Sequence, residues 1–255
     1  LPHYPPERFV RESDNGEYGA AVACIDWATD VLLHELQALG LDDRTLVIFT
    51  SDNGSRVHGE GGSNGLLRGT KGTTWEGGQR VPCIMRWPGE IPAGTTCGEV
   101  ALSMDLHPTL AGIGGAELPD DRTIDGHDIR PLIRAEEHAA SAHDAFFYYK
   151  RASIEAVRSG RWKLHIRKDD DEIQELYDLS ADIGEAKNLY AEYPDLVAEL
   201  QSRIDACRLD LGDQAAGIEG ENTRPIGRVD HPQTLTHYDP EHPYMIALYD
   251  LKDRG

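Results

Sequence analysis

The sequence predicts an α/β fold: part of a mixed, largely parallel sheet flanked by helices, followed by a small antiparallel sheet with a C-terminal helix. Three observations carry this expectation. A helical apolar period runs from Tyr18 to Leu39, the β-branched run TLVIFT follows a few residues later, and from Ala145 strands succeed one another until a second helical period near Pro194. A helix, a short turn and an apolar strand make half of an α/β layer, whereas strands in direct succession make hairpins. The expected divisions are an α/β portion over 1–140, an antiparallel subdomain with its helix over 141–211, and an irregular tail over 212–255.

Each element has its own reason. Val22, Ile25, Ala28, Leu32, Leu36 and Leu39 recur at three- and four-residue steps, one face of an amphipathic helix, and Gly40 stops it. After Asp42 and Asp43, TLVIFT is almost continuously apolar, which predicts a strand buried on both faces. Residues 54–78 then hold nine of the chain's 26 glycines with no apolar period. A connection of that length without elements of its own points to a functional loop. VPCIMRWPG predicts a second strand and a Pro-Gly turn, SMDLHPTLAGIGG a helix from near Asp105 to the glycines, and DGHDIRPLI a loop with a helical turn. AFFYY, IEAVRSGRWKLHI and EIQELYDL read as strands, with KDDDE as a solvated hairpin tip. From Pro194, Leu196, Val197, Leu200, Ile204 and Cys207 fall on one side of a helix that opens with proline at a favoured position.

Composition narrows the function. The 255 residues carry 25 Lys plus Arg against 45 Asp plus Glu, a formal net charge of -20. Such a surface repels nucleic acid and anionic membranes, and no apolar run approaches the ~20 residues of a spanning helix. An anionic ligand would need a locally positive pocket, and the chain has only six lysines with which to build one. Cys24, Cys83, Cys97 and Cys207 form no CxxC pair, so neither a zinc site nor a disulfide framework is indicated and buried free thiols are expected.

The tetrapeptide SDNG occurs twice, at 13–16 and at 51–54. The second copy ends the TLVIFT strand, where α/β sheets place their ligands. Asp52 and Asn53 offer hard oxygen donors suited to calcium or magnesium, although an Asx-Gly turn accounts for the same two residues. Asp14 and Asn15, after the polar run FVRE, read as a turn. GSNGLLRGTKGTTWEGG follows. It fails as a P-loop, because counting from Gly65 puts Thr70 where the second glycine belongs and Gly72 after Lys71. What remains is a lysine among glycines and threonines, either a solvated loop residue or an ammonium presented to a tetrahedral anion. His3, between prolines in LPHYPP, has a side chain able to carry a proton near neutral pH.

The wording and order of these motifs are more specific than any one of them. PHYPP, LGLDDRTLVIFTSDNG and GLLRGTKGTTWEGGQRVPCIMRWPG together resemble the type I, formylglycine-dependent sulfatases of the alkaline phosphatase superfamily. DGHDIRPLI, AVRSGRWKLHI and ELYDLSADIGEAKNL are similar to that family's C-terminal region, so the resemblance covers roughly 1–207. It implies an alkaline phosphatase-like fold, Asp52 and Asn53 as two calcium ligands, Lys71 on the substrate's sulfate, His3 as the acid for the departing alkoxide, and His58 lining the pocket. His107, Asp105 and Asp125 are left as structural residues.

One departure limits the carry-over. The family makes its formylglycine nucleophile in a C-x-P-x-R-type motif, and none of the contexts CIDWA, CIMRW, CGEVA or CRLDL fits it. The family's N-terminal calcium aspartates and its second lysine and histidine pair also lack counterparts. The expectation is therefore the C-terminal part of a sulfatase, inactive alone and completed by an N-terminal sulfatase portion. It would act on a sulfated small molecule or carbohydrate, and the resemblance favours an exported setting. Two alternatives stay open: a phosphoester or phosphonate hydrolase of the same superfamily, and a non-catalytic module binding calcium or sulfated glycans.

Overall fold

The computed structural model describes residues 3–56, 61–225 and 227–231, which fall into two compact units. The first comprises 1–38, 56–63 and 224–255, and the second 39–55 and 64–223. His58 and residues 232–255 of the expected tail lie outside the described residues.

The first unit is built on two helices, α1 (Glu7–Glu12) and α2 (Gly16–Ala38). The first SDNG is the turn between them. Ser13 Oγ donates to the Gly16 carbonyl at 2.8 Å and accepts from the Asn15 amide at 3.2 Å, while Asn15 Nδ2 reaches the Gly61 carbonyl at 2.8 Å. Phe9 and Trp27 meet at 6.0 Å, with the Arg8 guanidinium over both rings. The helix expected from Tyr18 to Leu39 is present, but its apolar face is not covered. Ala20 is its one buried residue, and Val22, Ile25 and Leu32 keep 52%, 54% and 66% of their surface. At ~1.5 Å per residue, the six-residue α1 spans about 9 Å against about 35 Å for α2, too short to cover its neighbour.

In the second unit β1 (Val47–Thr50) pairs antiparallel with β2 (Cys83–Arg86), from Val47 opposite Arg86 to Thr50 opposite Cys83. Arg86 holds Asp42 at the entrance to β1 through two hydrogen bonds of 2.5 and 2.9 Å, and Trp87 Nε1 donates to the Asp43 carbonyl. The strand is where TLVIFT predicts it, but burial on both faces is not found: Phe49 and Ile84 stay 39% and 63% exposed. These two strands form a two-stranded sheet of their own, and a lone pair of strands has too little surface to be enclosed.

Past the loop and a one-turn helix α3 (Glu76–Gln79), α4 (Leu106–Ile113) and α5 (Arg130–Ile133) follow. Asp105, fully buried before α4, accepts from the Leu102 and His127 amides and meets His143 Nε2 at 2.8 Å, which fixes it as a hub for the local backbone. All four cysteines are free; Cys207 is buried as expected, but Cys83 and Cys97 are exposed.

The chain then forms an antiparallel meander: β3 (Phe146–Lys150), β4 (Ser153–Ser159), β5 (Trp162–Lys168) and β6 (Asp171–Asp178), in that order across the sheet. The acidic tip turns at Asp169 and Asp170, between the paired Lys168 and Asp171. Helix α6 (Pro194–Leu211) packs Val197, Leu200, Ile204 and Cys207 against Ile154, Val157, Leu164 and Leu176. Each fully buried aliphatic side chain here contributes roughly 1.5–3 kcal/mol. Strand alternation puts Leu164 on this face, so Lys163 and His165 must point to the other. That second face is not solvent: both residues have no exposed surface.

Candidate active site

The second SDNG and the lysine loop are stitched together by backbone. The Gly54 amide donates to the Gly78 carbonyl at 3.1 Å, and the Lys71 amide donates to the Ser55 carbonyl at 3.2 Å. Gly54 is buried so closely against the loop that an added Cβ would lie 1.7 Å from the Gly77 carbonyl oxygen. Only glycine fits there, and this is a reason for the motif's last residue that no turn type requires. Asn64 adds a side-chain bridge from Ser55 to Gly69. The end of β1 and the loop carrying Lys71 thus form one layer.

The side chains left over are the chemically interesting ones. Asp52 is exposed and Asn53 half-buried; Ser51 Oγ donates to the Asn53 backbone carbonyl at 2.9 Å, so the carboxylate and carboxamide of the pair stay uncommitted. Lys163 pairs with Glu76 at 2.8 Å, Lys168 with Glu155 at 3.7 Å, Lys187 with Glu192 at 3.9 Å, and Lys150 with Asp169. Among the described residues Lys71 alone of the lysines has no carboxylate partner. In a chain with 45 acidic residues, that leaves one free ammonium among the described lysines, on the loop bonded to the segment just after Asp52 and Asn53.

Comparison with known proteins gives the family. The family described as Sulfatase matches residues 2–116, and the family described as N-sulphoglucosamine sulphohydrolase, C-terminal, matches residues 70–210, more than half of the chain. The chain belongs to the sulfatase family. It is 45% identical to the steryl-sulfatase of Mus musculus over 172 residues, which cover 63% of this chain and 27% of that protein. Arylsulfatase A of Homo sapiens is 42% identical over 173 residues, 64% of this chain and 33% of that one. This sulfatase chain therefore spans about a third or less of the length of these curated relatives. The solved PsFucS1 sulfatase from Pseudoalteromonas sp. superposes with a TM-score of 0.72 at 26% identity, over 80% of this chain and 45% of that chain. Ps i-CgsB, solved in complex with k-i-k-neocarrahexaose, gives 0.74 at 24% identity over 87% and 50%, a likeness of fold. The α/β class read from the sequence is that of these sulfatase structures.

The loop's far side is anchored in the polar face of the meander. Glu76, 1% exposed, meets Lys163 Nζ at 2.8 Å, accepts from Tyr148 Oη at 2.8 Å and faces Arg158 at 3.3 Å. Lys163 also donates to the Thr74 carbonyl at 2.9 Å and lies 3.1 Å from Glu185. Glu185 grips the loop at both ends: its carboxylate accepts from the Glu76 amide at 2.7 Å, and its carbonyl accepts from Arg68 at 2.8 Å. Its backbone takes φ +50°, the left-handed region, to do so. Trp75 is held by Arg68 on its ring at 3.6 Å, Lys168 at 4.0 Å and His165 at 4.3 Å.

Burial sets the protonation of this cluster. His165 is pushed well below the ordinary histidine value, first by burial and then by Lys163 and Lys168, so its imidazole is neutral. With the proton on Nε2 it donates to Glu185 at 2.7 Å, leaving a buried Nδ1 without a partner. Burial likewise lowers Lys168 to about 7 and raises Tyr148 well above its usual range.

His3 is half-buried, its ring edge-on to Tyr18 at 5.6 Å, in the first unit. Sequence reasoning did not single out Asn64, Glu76, Lys163, His165 or Glu185. Lys163 and His165 carried no signal of their own, because they alternate with apolar residues as a solvent-facing row does.

Proposed function

We propose that this chain carries the sulfate-holding part of a sulfate-ester hydrolase centre. Lys71 binds a peripheral oxygen of the sulfate, His3 delivers a proton to the departing alkoxide oxygen, and Asp52 with Asn53 contributes oxygen ligands to a calcium ion. The observation that carries the reading is the unpaired ammonium of Lys71, on a loop whose backbone is bonded to the end of the strand that bears the free Asp52 and Asn53 side chains.

The charges favour this chemistry. Cleaving a sulfate ester moves negative charge onto the bridging oxygen and leaves charge on the peripheral ones, so a fixed ammonium is worth most as the bond breaks. In a chain of net charge -20, a cation without an internal partner also lets the anion approach. The donor set of Asp52 and Asn53 fits calcium in kind, being oxygen only. Two donors fall short of the ~6–8 that calcium takes, and no cluster of three or more His, Cys, Asp or Glu suited to a metal occurs among the described residues. Further ligands, and the formylglycine nucleophile, belong in this reading to an N-terminal sulfatase portion. When bound, calcium would supply a divalent charge against the sulfate oxygens. The substrate is a sulfated small molecule or carbohydrate, neither nucleic acid nor membrane is a partner, and the setting is an exported one.

The test is hydrolysis of an aryl sulfate by this chain alone and joined to an N-terminal sulfatase portion. We expect activity only from the joined protein, reduced about 10²–10³-fold by Lys71→Ala. Full activity from the chain alone would refute the division of labour. A preference of the joined protein for phosphate monoesters would instead favour phosphoester hydrolysis, and tight calcium binding without turnover a binding module.

A further inference from the structure

The lysine loop contains more glycine than any other stretch of the chain, and Gly65, Gly69 and Gly72 all take positive φ. Such backbone has the most conformational freedom to lose on ordering. Something must therefore fix where Lys71 stands relative to Asp52 and Asn53. The geometry points to Asn64, which we propose is a positioning residue for the sulfate-binding lysine; the inference rests on the reading of Lys71 given above.

Asn64 is half-buried and its carboxamide is almost fully used. Oδ1 accepts from the Ser55 amide at 2.8 Å, and Nδ2 donates to the Ser55 carbonyl at 3.2 Å and to the Gly69 carbonyl at 2.9 Å. Two carbonyls demand the NH₂ and one N–H demands the oxygen, so only one orientation of the amide satisfies all three. Ser55 lies two residues after Asn53, and Gly69 two residues before Lys71. The Ser55 carbonyl is also the acceptor of the Lys71 amide at 3.2 Å. Asn64 therefore shares an acceptor with the lysine it positions, and ties that acceptor to the loop from the opposite side. A carboxylate at 64 would face two carbonyl oxygens, and an aliphatic side chain would remove all three bonds.

A matched control exists in the same unit. Asn188 also makes three such bonds, accepting from the Leu176 and Tyr190 amides and donating to the Gln174 carbonyl, but it lies in the segment between β6 and α6 and none of its three partners belongs to the lysine loop. The experiment uses the full 255-residue chain as wild type, Asn64→Ala and Asn188→Ala, with inorganic sulfate as the probe. Two quantities are read: the sulfate concentration that half-protects Lys71 from an amine-acylating reagent, and amide exchange at Ser55 and Lys71. Asn64→Ala should raise the protecting concentration about tenfold, the change expected for losing the order set by one or two hydrogen bonds, and should accelerate both amides. Asn188→Ala should accelerate exchange near Leu176 and Tyr190 and leave the sulfate dose unchanged.

An unchanged dose and unchanged exchange in Asn64→Ala would overturn the inference, and so would an equal shift in Asn188→Ala, which would mark general loosening. Should sulfate fail to protect Lys71 in the wild type, the sulfate reading of Lys71 falls. The clamp is then decided by exchange alone: acceleration at Ser55 and Lys71 sustains it, and its absence overturns it.

Discussion

Replacing Lys163 by methionine isolates the buried charge cluster from everything else in the chain. The ammonium has no exposed surface and satisfies the Thr74 carbonyl at 2.9 Å, Glu76 at 2.8 Å and Glu185 at 3.1 Å. Methionine fills similar space, so the change removes charge rather than volume. Glu76, 1% exposed, then keeps Arg158 at 3.3 Å, while Glu185, 0% exposed, keeps of its basic partners only His165, which is neutral. Breaking a buried pair by deleting one partner costs about 3–5 kcal/mol. At about 2–4 °C per kcal/mol for a chain of this size, the midpoint should fall by roughly 6–20 °C. Thermal melts followed by far-ultraviolet circular dichroism and by tryptophan fluorescence would measure it, with Trp75 reporting on the loop. Adding Glu76→Gln to Lys163→Met should recover part of the loss, because it removes one stranded carboxylate. A single variant within about 1 kcal/mol of wild type would refute the account of the cluster as the loop's anchor.

Three further outcomes follow from other sites. Lys168, lowered to about 7 by burial, binds its proton less readily folded than unfolded, where its value is near 10.5. The unfolded chain then holds more protons between those values, so the stability of wild type relative to Lys168→Met should rise as pH goes from about 7 to about 10; a falling difference in urea titrations would contradict this. Leu200→Ala, in the fully buried seam between α6 and the meander, should cost about 2–5 kcal/mol in the same titrations, and a loss under 1 would mean the seam relaxes. Lys71→Ala, at an exposed and unpaired position, should change stability by no more than about 0.5 kcal/mol while abolishing sulfate protection of the loop, measured as slowed amide exchange.

What the sequence made legible was local. The three- and four-residue period placed α2 to within two residues of Gly16–Ala38, and the positions read for the last helix, Val197, Leu200, Ile204 and Cys207, are those it buries. Period alone says which residues share a face, not whether anything covers it. Hence Val22 and Ile25 were expected inside and lie outside, while Lys163 and His165 alternate like a solvent face and are sealed. The same limit applied at the site. Asp52, Asn53 and Lys71 stand out as residue types in motifs, but Asn64 does its work through backbone partners 9 and 5 residues away, and Glu185 through a partner 109 residues distant. Contacts of that kind leave no period to detect.

The uncovered stripe on α2 makes salt a control knob for the chain's colloidal behaviour. With Val22, Ile25 and Leu32 open to water, two copies gain by touching, and a net charge of -20 holds them apart. Raising ionic strength from 0.01 M to 1 M shrinks the reach of that repulsion from about 30 Å to about 3 Å and leaves the apolar attraction intact. Light scattering should therefore grow with added sodium chloride, the reverse of what an assembly held by ion pairs would do, and a charged substitution such as Ile25→Glu should flatten the response.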